Sequence, residues 1–186
     1  MYIPENNAFS YCPKCGSTLR KKEENLLICA ACSFKFYLSP KPGVKGIVIS
    51  EDGRILMTRR NIPPYLGMLD LPGGFIEQLE NFEEGLEREL YEELGSTLDI
   101  KSISYLASFG RPYGYQNILY SVVVPVFIIH LNDNPVFDLF DKKELQEVIL
   151  IKPEDIDMDE IGTEDYKNIL RKFIKNNTGI GKFSLS

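Results

Sequence analysis

The segment Gly73 to Gly95, GGFIEQLENFEEGLERELYEELG, constrains this chain more than any other stretch. It holds eight glutamates and one cation, Arg88, so it is more negative than the whole chain at −6. A glycine turn leads into an expected helix from about Asn81 to Leu94, with Gly95 as its C-terminal stop. Phe82, Leu86, Leu90 and Leu94 recur every four residues and offer an apolar stripe to a core. At ~100° per residue, Glu89, Glu92 and Glu93 fall within an arc of roughly 100°. Glu93 projects at the seam of the apolar face, where a solvated acidic surface does not account for it. Like charges at these spacings destabilise a helix by roughly 0.2–0.5 kcal/mol per pair. Glutamates in the last turns also oppose the helix dipole. Cations that offset both effects are expected, and oxygen-only ligands suit Mg2+ or Mn2+.

The spacing carries more than the charge. Gly74, five residues, Glu80, seven residues, then Arg88-Glu89-Leu90-Tyr91-Glu92-Glu93-Leu94-Gly95 resembles the Nudix box, the signature of the Nudix hydrolases. Two positions depart from that pattern. Ser96 stands where an aliphatic residue is usual, and Leu79 stands where relatives often have Gly before the glutamate. Neither departure removes a ligand.

The resemblance covers about Lys41 to Lys175 and implies an α+β fold, an α/β/α sandwich with a mixed sheet between helices. It implies metal ligation by Glu89, Glu92 and Glu93, with a glycine carbonyl at the turn as a further ligand. Gly73 is the matching position, with Gly74 as the alternative. It also implies that Arg88 orients Glu92 or another box carboxylate, and that Glu80 stabilises the loop or ligates through water. Glu89 is one candidate base. Asp141, Glu144 and Glu147 are candidates from outside the box, Glu147 first. The family reaction is hydrolysis of a nucleoside diphosphate linked to another moiety.

Upstream, Cys12 and Cys15, then Cys29 and Cys32, form two C-x2-C knuckles thirteen residues apart. That spacing supplies four thiolates to one structural Zn2+. A short hairpin between Ser17–Leu19 and Leu26–Ile28 is expected between the knuckles. The proline-rich stretch 39–43 marks a boundary, giving a zinc ribbon over residues 8–39 and a Nudix domain over 43–176. A chain of 186 residues accommodates both. This arrangement resembles the Nudix subgroup that includes NADH pyrophosphatases and ADP-ribose/FAD pyrophosphatases. NADH pyrophosphatases share a Ser-Gln-Pro-Trp-Pro-Phe-Pro stretch after the box, where this chain reads FGRPYGYQN. The expected substrate is therefore ADP-ribose, FAD or a similar dinucleotide. An NADH pyrophosphatase, an RNA-end or cap pyrophosphohydrolase and a non-catalytic nucleotide-sensing regulator are the alternatives.

Other residues bear on ligands and partners. Arg59 and Arg60 end an expected strand on opposite faces, so one of them faces substrate or both cap the strand at the surface. Tyr113 and Tyr115, in an expected loop from Gly110 to Asn117, stack on a base or pack the loop. Pro125 is expected to interrupt the apolar strand from Ile118 to Leu131, a strand that allows a homodimer or simply fills the core. Lys14, Arg20, Lys21, Lys22 and Lys35 make the ribbon locally basic against Glu23 and Glu24, which suits contact with nucleic acid or another protein, or a solvated docking or dimer-supporting appendage. The sequence pI near 5.0 nevertheless argues against a general nucleic-acid binder. No apolar run approaches ~20 residues and no secretory signal is visible at the start, so a cytoplasmic chain without a membrane partner is expected.

Overall fold

The computed structural model describes residues 3–137 and 139–178. In chain order the elements are β1 (Ile3–Pro4), α1 (Glu5–Ala8), β2 (Leu19–Glu23), β3 (Leu26–Cys29), β4 (Lys35–Tyr37) and β5 (Lys41–Pro42). Next come β6 (Lys45–Ile49), β7 (Ile55–Arg60), β8 (Leu69–Asp70) and α2 (Phe82–Leu94). After these lie β9 (Ile100–Tyr115), β10 (Ile118–Leu131), β11 (Leu145–Ile151) and α3 (Glu164–Thr178). Two compact units result: Met1–Pro42 with Gly110–Val124, and Gly43–Phe109 with Pro125–Ser186.

The second unit is built around β6, all five residues of which are buried. It runs parallel to β10, with Lys45 opposite Val126 and Ile49 opposite His130. Asp52-Gly53 turns β6 back into β7, which pairs antiparallel with β11 and β8. Side chains alternate across this sheet as the pleat requires. Ile47, Ile49, Ile55, Met57 and Val126 pack with Tyr166, Leu170 and Phe173 of α3. Val48, Leu56, Phe127 and Ile129 pack with Leu86, Leu90 and Leu94 of α2. The helices thus cover opposite faces, which is the expected mixed-sheet sandwich. Phe82 is the exception to the predicted stripe: at the first turn of α2 it is exposed. The helix itself is set locally. Asn81 accepts from Glu84 N–H while the Glu84 side chain accepts from Asn81 N–H, and Gly95 closes the end in the left-handed conformation.

In the first unit β2, β3 and β4 form a three-stranded sheet. Its predicted hairpin is longer than expected and gains β4 as a third strand. The small core holds Cys12, Leu19, Leu27 and Cys29 with Phe9, Phe34 and Phe36 against them. The strand ends β1 and β5 pair in parallel with Ile118–Leu119 and Val122–Val123 of β10.

Two expectations are corrected. The stretch predicted as a loop from Gly110 continues as strand to Tyr115, and the turn is confined to Gln116 and Asn117, both at positive φ. This is a two-residue hairpin connection, and pairing of β9 with β10 overrides the local glycine and proline signals. Pro125 does not break β10 either, because it falls in the step between the partners β5 and β6. The tail from Asn177 to Ser186 is expected to lack periodicity; its first two residues continue the last helix, and residues 179–186 lie outside the described residues.

Candidate metal centres and active site

The box folds as a glycine turn laid against the end of α2. Gly73 adopts φ +116°, and a Cβ there would lie 2.5 Å from the Val44 carbonyl, so only glycine fits. At Gly74 a Cβ would collide with the Glu89 carboxylate, which occupies that space. The Gly73 N–H donates to Glu93 Oε2 at 2.9 Å. Turn and helix are therefore joined through the carboxylates themselves.

The glutamates are not equivalent. Glu93 is 9% exposed, and burial raises its carboxyl to about 7, opposed by Lys45 and the Gly73 bond and reinforced by Asp70 and Glu89. Burial also raises Glu89, with the bond from Arg88 pulling the other way. Glu92 is more open, and its Oε2 accepts from Arg88 Nη1 at 3.0 Å. Arg88 is the hub. It donates through Nε and Nη2 to both oxygens of Glu80 (2.6 and 3.0 Å), through Nη1 to Glu89 (3.0 Å), and through Nη2 to the Phe75 carbonyl (2.8 Å). That fork holds Arg88 firmly charged and draws the Glu80 carboxyl below its usual range. Glu80 also accepts from the Glu77 N–H at 2.8 Å, so it fastens the loop.

Sequence reasoning overlooked Lys45 and Asp70. Both are buried, and Lys45 Nζ reaches Asp70 Oδ2 at 3.3 Å and the Leu71 carbonyl at 2.7 Å. Burial opposes its charge, but Asp70 and the neighbouring groups hold it above the ordinary lysine range. The available signal was a lysine inside an apolar strand, VKGIVIS. Asp70 binds a second cation, Arg60 Nη1, at 3.1 Å. Arg60 Nε donates to the Pro64 carbonyl, while Arg59 bonds Glu147 (3.1 Å), Glu160 (2.8 Å) and the Gly67 carbonyl (2.9 Å). Both predicted substrate arginines are thus ion-paired, and Glu147 lies on Arg59. The acidic segment leading into β11 is tied to α2 through Asp141 N–H, which donates to the Glu93 carbonyl at 3.0 Å. The Asp141 carboxylate accepts from Lys143 N–H, leaving Glu144 exposed beside it. Tyr113 and Tyr115 belong to the first unit, where the Arg111 guanidinium lies 5.7 Å from the Tyr113 ring centre.

The donor set on α2 is that of a hard cation. Glu89 and Glu93 carry carboxyls raised by burial, which a divalent ion would reverse. Among the described residues, though, the group whose ligand atoms all lie within 4.8 Å of one another is the four cysteines. Among the box carboxylates, Glu89 and Glu92 are both bonded by Arg88 Nη1.

The cysteines fit zinc closely. Cys15 and Cys29 sulfurs are 3.5 Å apart, those of Cys12 and Cys32 3.9 Å, and all four thiols are free. Tetrahedral Zn–S bonds of about 2.3 Å would place sulfurs about 3.8 Å apart. The two knuckles match. Gly16 N–H donates to the Cys12 carbonyl and Ser33 N–H to the Cys29 carbonyl, with Gly16 and Ser33 both at positive φ. The Cys32 N–H lowers the Cys29 thiol to about 6. Cys15 is pushed up to about 12: the Ser17 backbone pulls it down, but the neighbouring thiols of Cys32 and Cys29 outweigh that. Four sulfurs this close cannot all ionise without a cation among them.

Comparison with known proteins agrees with this geometry. A model of the NUDIX domain matches residues 39–173. An ADP-ribose pyrophosphatase of Methanocaldococcus jannaschii is 41% identical over 70 residues, 38% of this chain and 41% of that protein. A NAD-capped RNA hydrolase NudC of Haemophilus influenzae is 28% identical over 110 residues, 58% of this chain and 40% of that protein. The matched stretches thus span less than half of either relative. A crystal structure of a NUDIX hydrolase from Nitrosomonas europaea superposes with a TM-score of 0.69 at 27% identity, covering 95% of this chain and 97% of that one. With the box complete on its turn and helix and the domain match running through most of the sequence, the chain belongs to the Nudix family.

Proposed function

We propose that this chain is a metal-dependent hydrolase of the pyrophosphate bond in a nucleoside diphosphate linked to another moiety, with ADP-ribose, FAD or a similar dinucleotide as substrate. The observation that carries this reading is the pair of burial-raised carboxyls, Glu89 and Glu93, set against a backbone glycine turn. Glu89, Glu92 and Glu93 would hold Mg2+ or Mn2+, together with the Gly73 carbonyl. The carbonyls on either side of it are already engaged, Pro72 by Gly46 N–H and Gly74 by Val44 N–H. When bound, the cation supplies charge neutralisation for the phosphate oxygens and acidifies a water. Water then attacks one phosphorus, the bridging P–O bond breaks, and the departing phosphate takes its electron pair.

The chain's own residues position and move protons. Arg88 fixes Glu89 and Glu92 by its fork, and Glu80 anchors Arg88. Glu147 takes the proton from the attacking water, with Glu89 as the alternative base. Arg59, which bonds Glu147, holds that carboxylate in place, and Arg60 does the same for Asp70. Tyr113 and Tyr115 offer ring faces for a base. Residues 8–39 form a zinc ribbon whose metal is structural, because four sulfurs close its coordination, and residues 43–176 form the catalytic domain.

The name of the M. jannaschii relative supports the ADP-ribose reading. The names of several NudC relatives support a second one, hydrolysis at a capped RNA end. A binding-only regulator has no need of every box carboxylate. A hydrolysis screen in Mg2+ or Mn2+ over ADP-ribose, FAD, NADH, diadenosine polyphosphates and capped RNA tests all three. Turnover of ADP-ribose or FAD above the rest is expected. Preference for capped RNA would favour the second reading, and inactivity on every compound would overturn the enzyme reading.

A further inference from the structure

The cations of the ribbon serve neither the zinc nor the box, and their placement follows from strand register. Arg20 of β2 lies opposite Ile28 of β3, which lies opposite Lys35 of β4. Laterally paired residues share a face, so Arg20, Ile28 and Lys35 form one row, with the two cations about 10 Å apart across the sheet. The neighbouring row on the same face runs from Glu23 through the buried Leu26 to Tyr37, which is 57% exposed. Leu19, Leu27 and Cys29 point the other way, into the small core. The cations are therefore not arranged around the sulfurs to offset thiolate charge.

Among the arginines, Arg20 differs in its pairing state from those of the second unit. Arg54, Arg59, Arg60, Arg88 and Arg171 each bond a carboxylate. In the first unit Lys21 pairs with Glu24 and Lys41 with Glu5. That leaves Glu23 against the exposed Lys14, Arg20, Lys22 and Lys35. The first unit holds seven Lys and Arg against three Glu, while the whole chain is −6. It stays positive even after the negative charge of a zinc tetrathiolate is counted. An acidic overall pI averages over this asymmetry and conceals it.

We propose that this face of the ribbon, the Arg20–Ile28–Lys35 row with Tyr37, docks a single-stranded nucleic acid. Unpaired cations for phosphates beside an exposed aromatic ring for a base are the two components of a sequence-tolerant single-strand surface. An acidic peptide would use the cations but not the ring. A rigid duplex would hold its bases stacked away from Tyr37. Phosphates and bases are common to RNA and DNA strands, so both are expected to bind. This docking does not depend on which pyrophosphate the box cleaves.

The test is fluorescence anisotropy of labelled dodecamers of uridylate and thymidylate with the full, zinc-loaded chain, across a range of KCl. Both strands are expected to bind, with affinity falling as salt rises at a log–log slope of about 1.4 for the two phosphate contacts of Arg20 and Lys35. The double variant Arg20→Gln/Lys35→Gln should weaken binding about tenfold at low salt and bring the slope close to zero. Tyr37→Ala should weaken binding of the strands, and polyglutamate of equal charge should compete less well than either strand. All three side chains are exposed, so circular dichroism and turnover of a small dinucleotide should be unchanged. No salt-dependent binding, an unaltered double variant, or equal competition by polyglutamate would each overturn the proposal, the last by making the face an acidic-peptide surface.

Discussion

Leu79 shows how one residue can depart from a motif without disabling it. It sits at φ +74°, a conformation that favours glycine, and its side chain is 96% exposed. The loop nonetheless closes, because the Glu80 carboxylate accepts from Glu77 N–H and clasps Arg88 two-handed. Left-handed backbone on a residue with a Cβ costs about 1–2 kcal/mol, part of which glycine returns as chain entropy. Leu79→Gly is expected to raise the melting temperature by about 2 °C, from a net gain of about 0.5–1 kcal/mol, with metal affinity unchanged. Calorimetry on the two proteins checks this, and a lower melting temperature in the variant would show that the leucine side chain itself stabilises the fold. Lys45, Asp70 and the arginine pairs belong to the same scale; the sequence marked Lys45 only as a lysine inside an apolar strand and did not show the partners of any of them. Lys45 meets Asp70 from 25 residues away, and Arg59 meets Glu147 from 88 residues away. Alternation along β7 told that Arg59 and Arg60 diverge; only tertiary structure could supply the acids that bind them.

At the scale of elements, α2 was readable nearly end to end. Its period, its Asn81 to Glu84 box and its Gly95 stop are all local chemistry within one turn of the residues concerned. Asn81→Ala removes the acceptor for the Glu84 N–H and should destabilise the protein by about 1 kcal/mol in urea denaturation. An unchanged midpoint would mean that the first turn is held by packing alone, which the exposure of Phe82 argues against. The opposite case is β9. Gly110, Pro112 and Gly114 are turn-forming residues by local preference, yet they lie within a strand of sixteen residues. What holds them is the hairpin with β10, and its tight turn at Gln116 and Asn117 carries no glycine to announce it.

Taken whole, the chain joins two units that reach stability by different means. The second buries apolar side chains on both faces of a sheet. The first has a much smaller core, two of whose four buried members are cysteines. Zinc removal should therefore act on one unit. One equivalent of zinc is expected per chain by atomic emission. Stripping it with a chelator should abolish amide-exchange protection in β2 and β3 while α2 stays protected. Retention of protection in β2 and β3 after complete metal loss would contradict a metal-supported ribbon.

The central claim is that the acidic box holds a catalytic cation rather than forming a solvated face. Turnover of whichever substrate the hydrolysis screen identifies, at saturating Mg2+, tests it with Glu92→Gln and Glu93→Gln. Both changes keep side-chain size, and in Glu93→Gln the new amide oxygen would still accept the Gly73 N–H bond. A catalytic cation held by the box predicts a fall of about a hundredfold or more in each variant. Full turnover in both would contradict it.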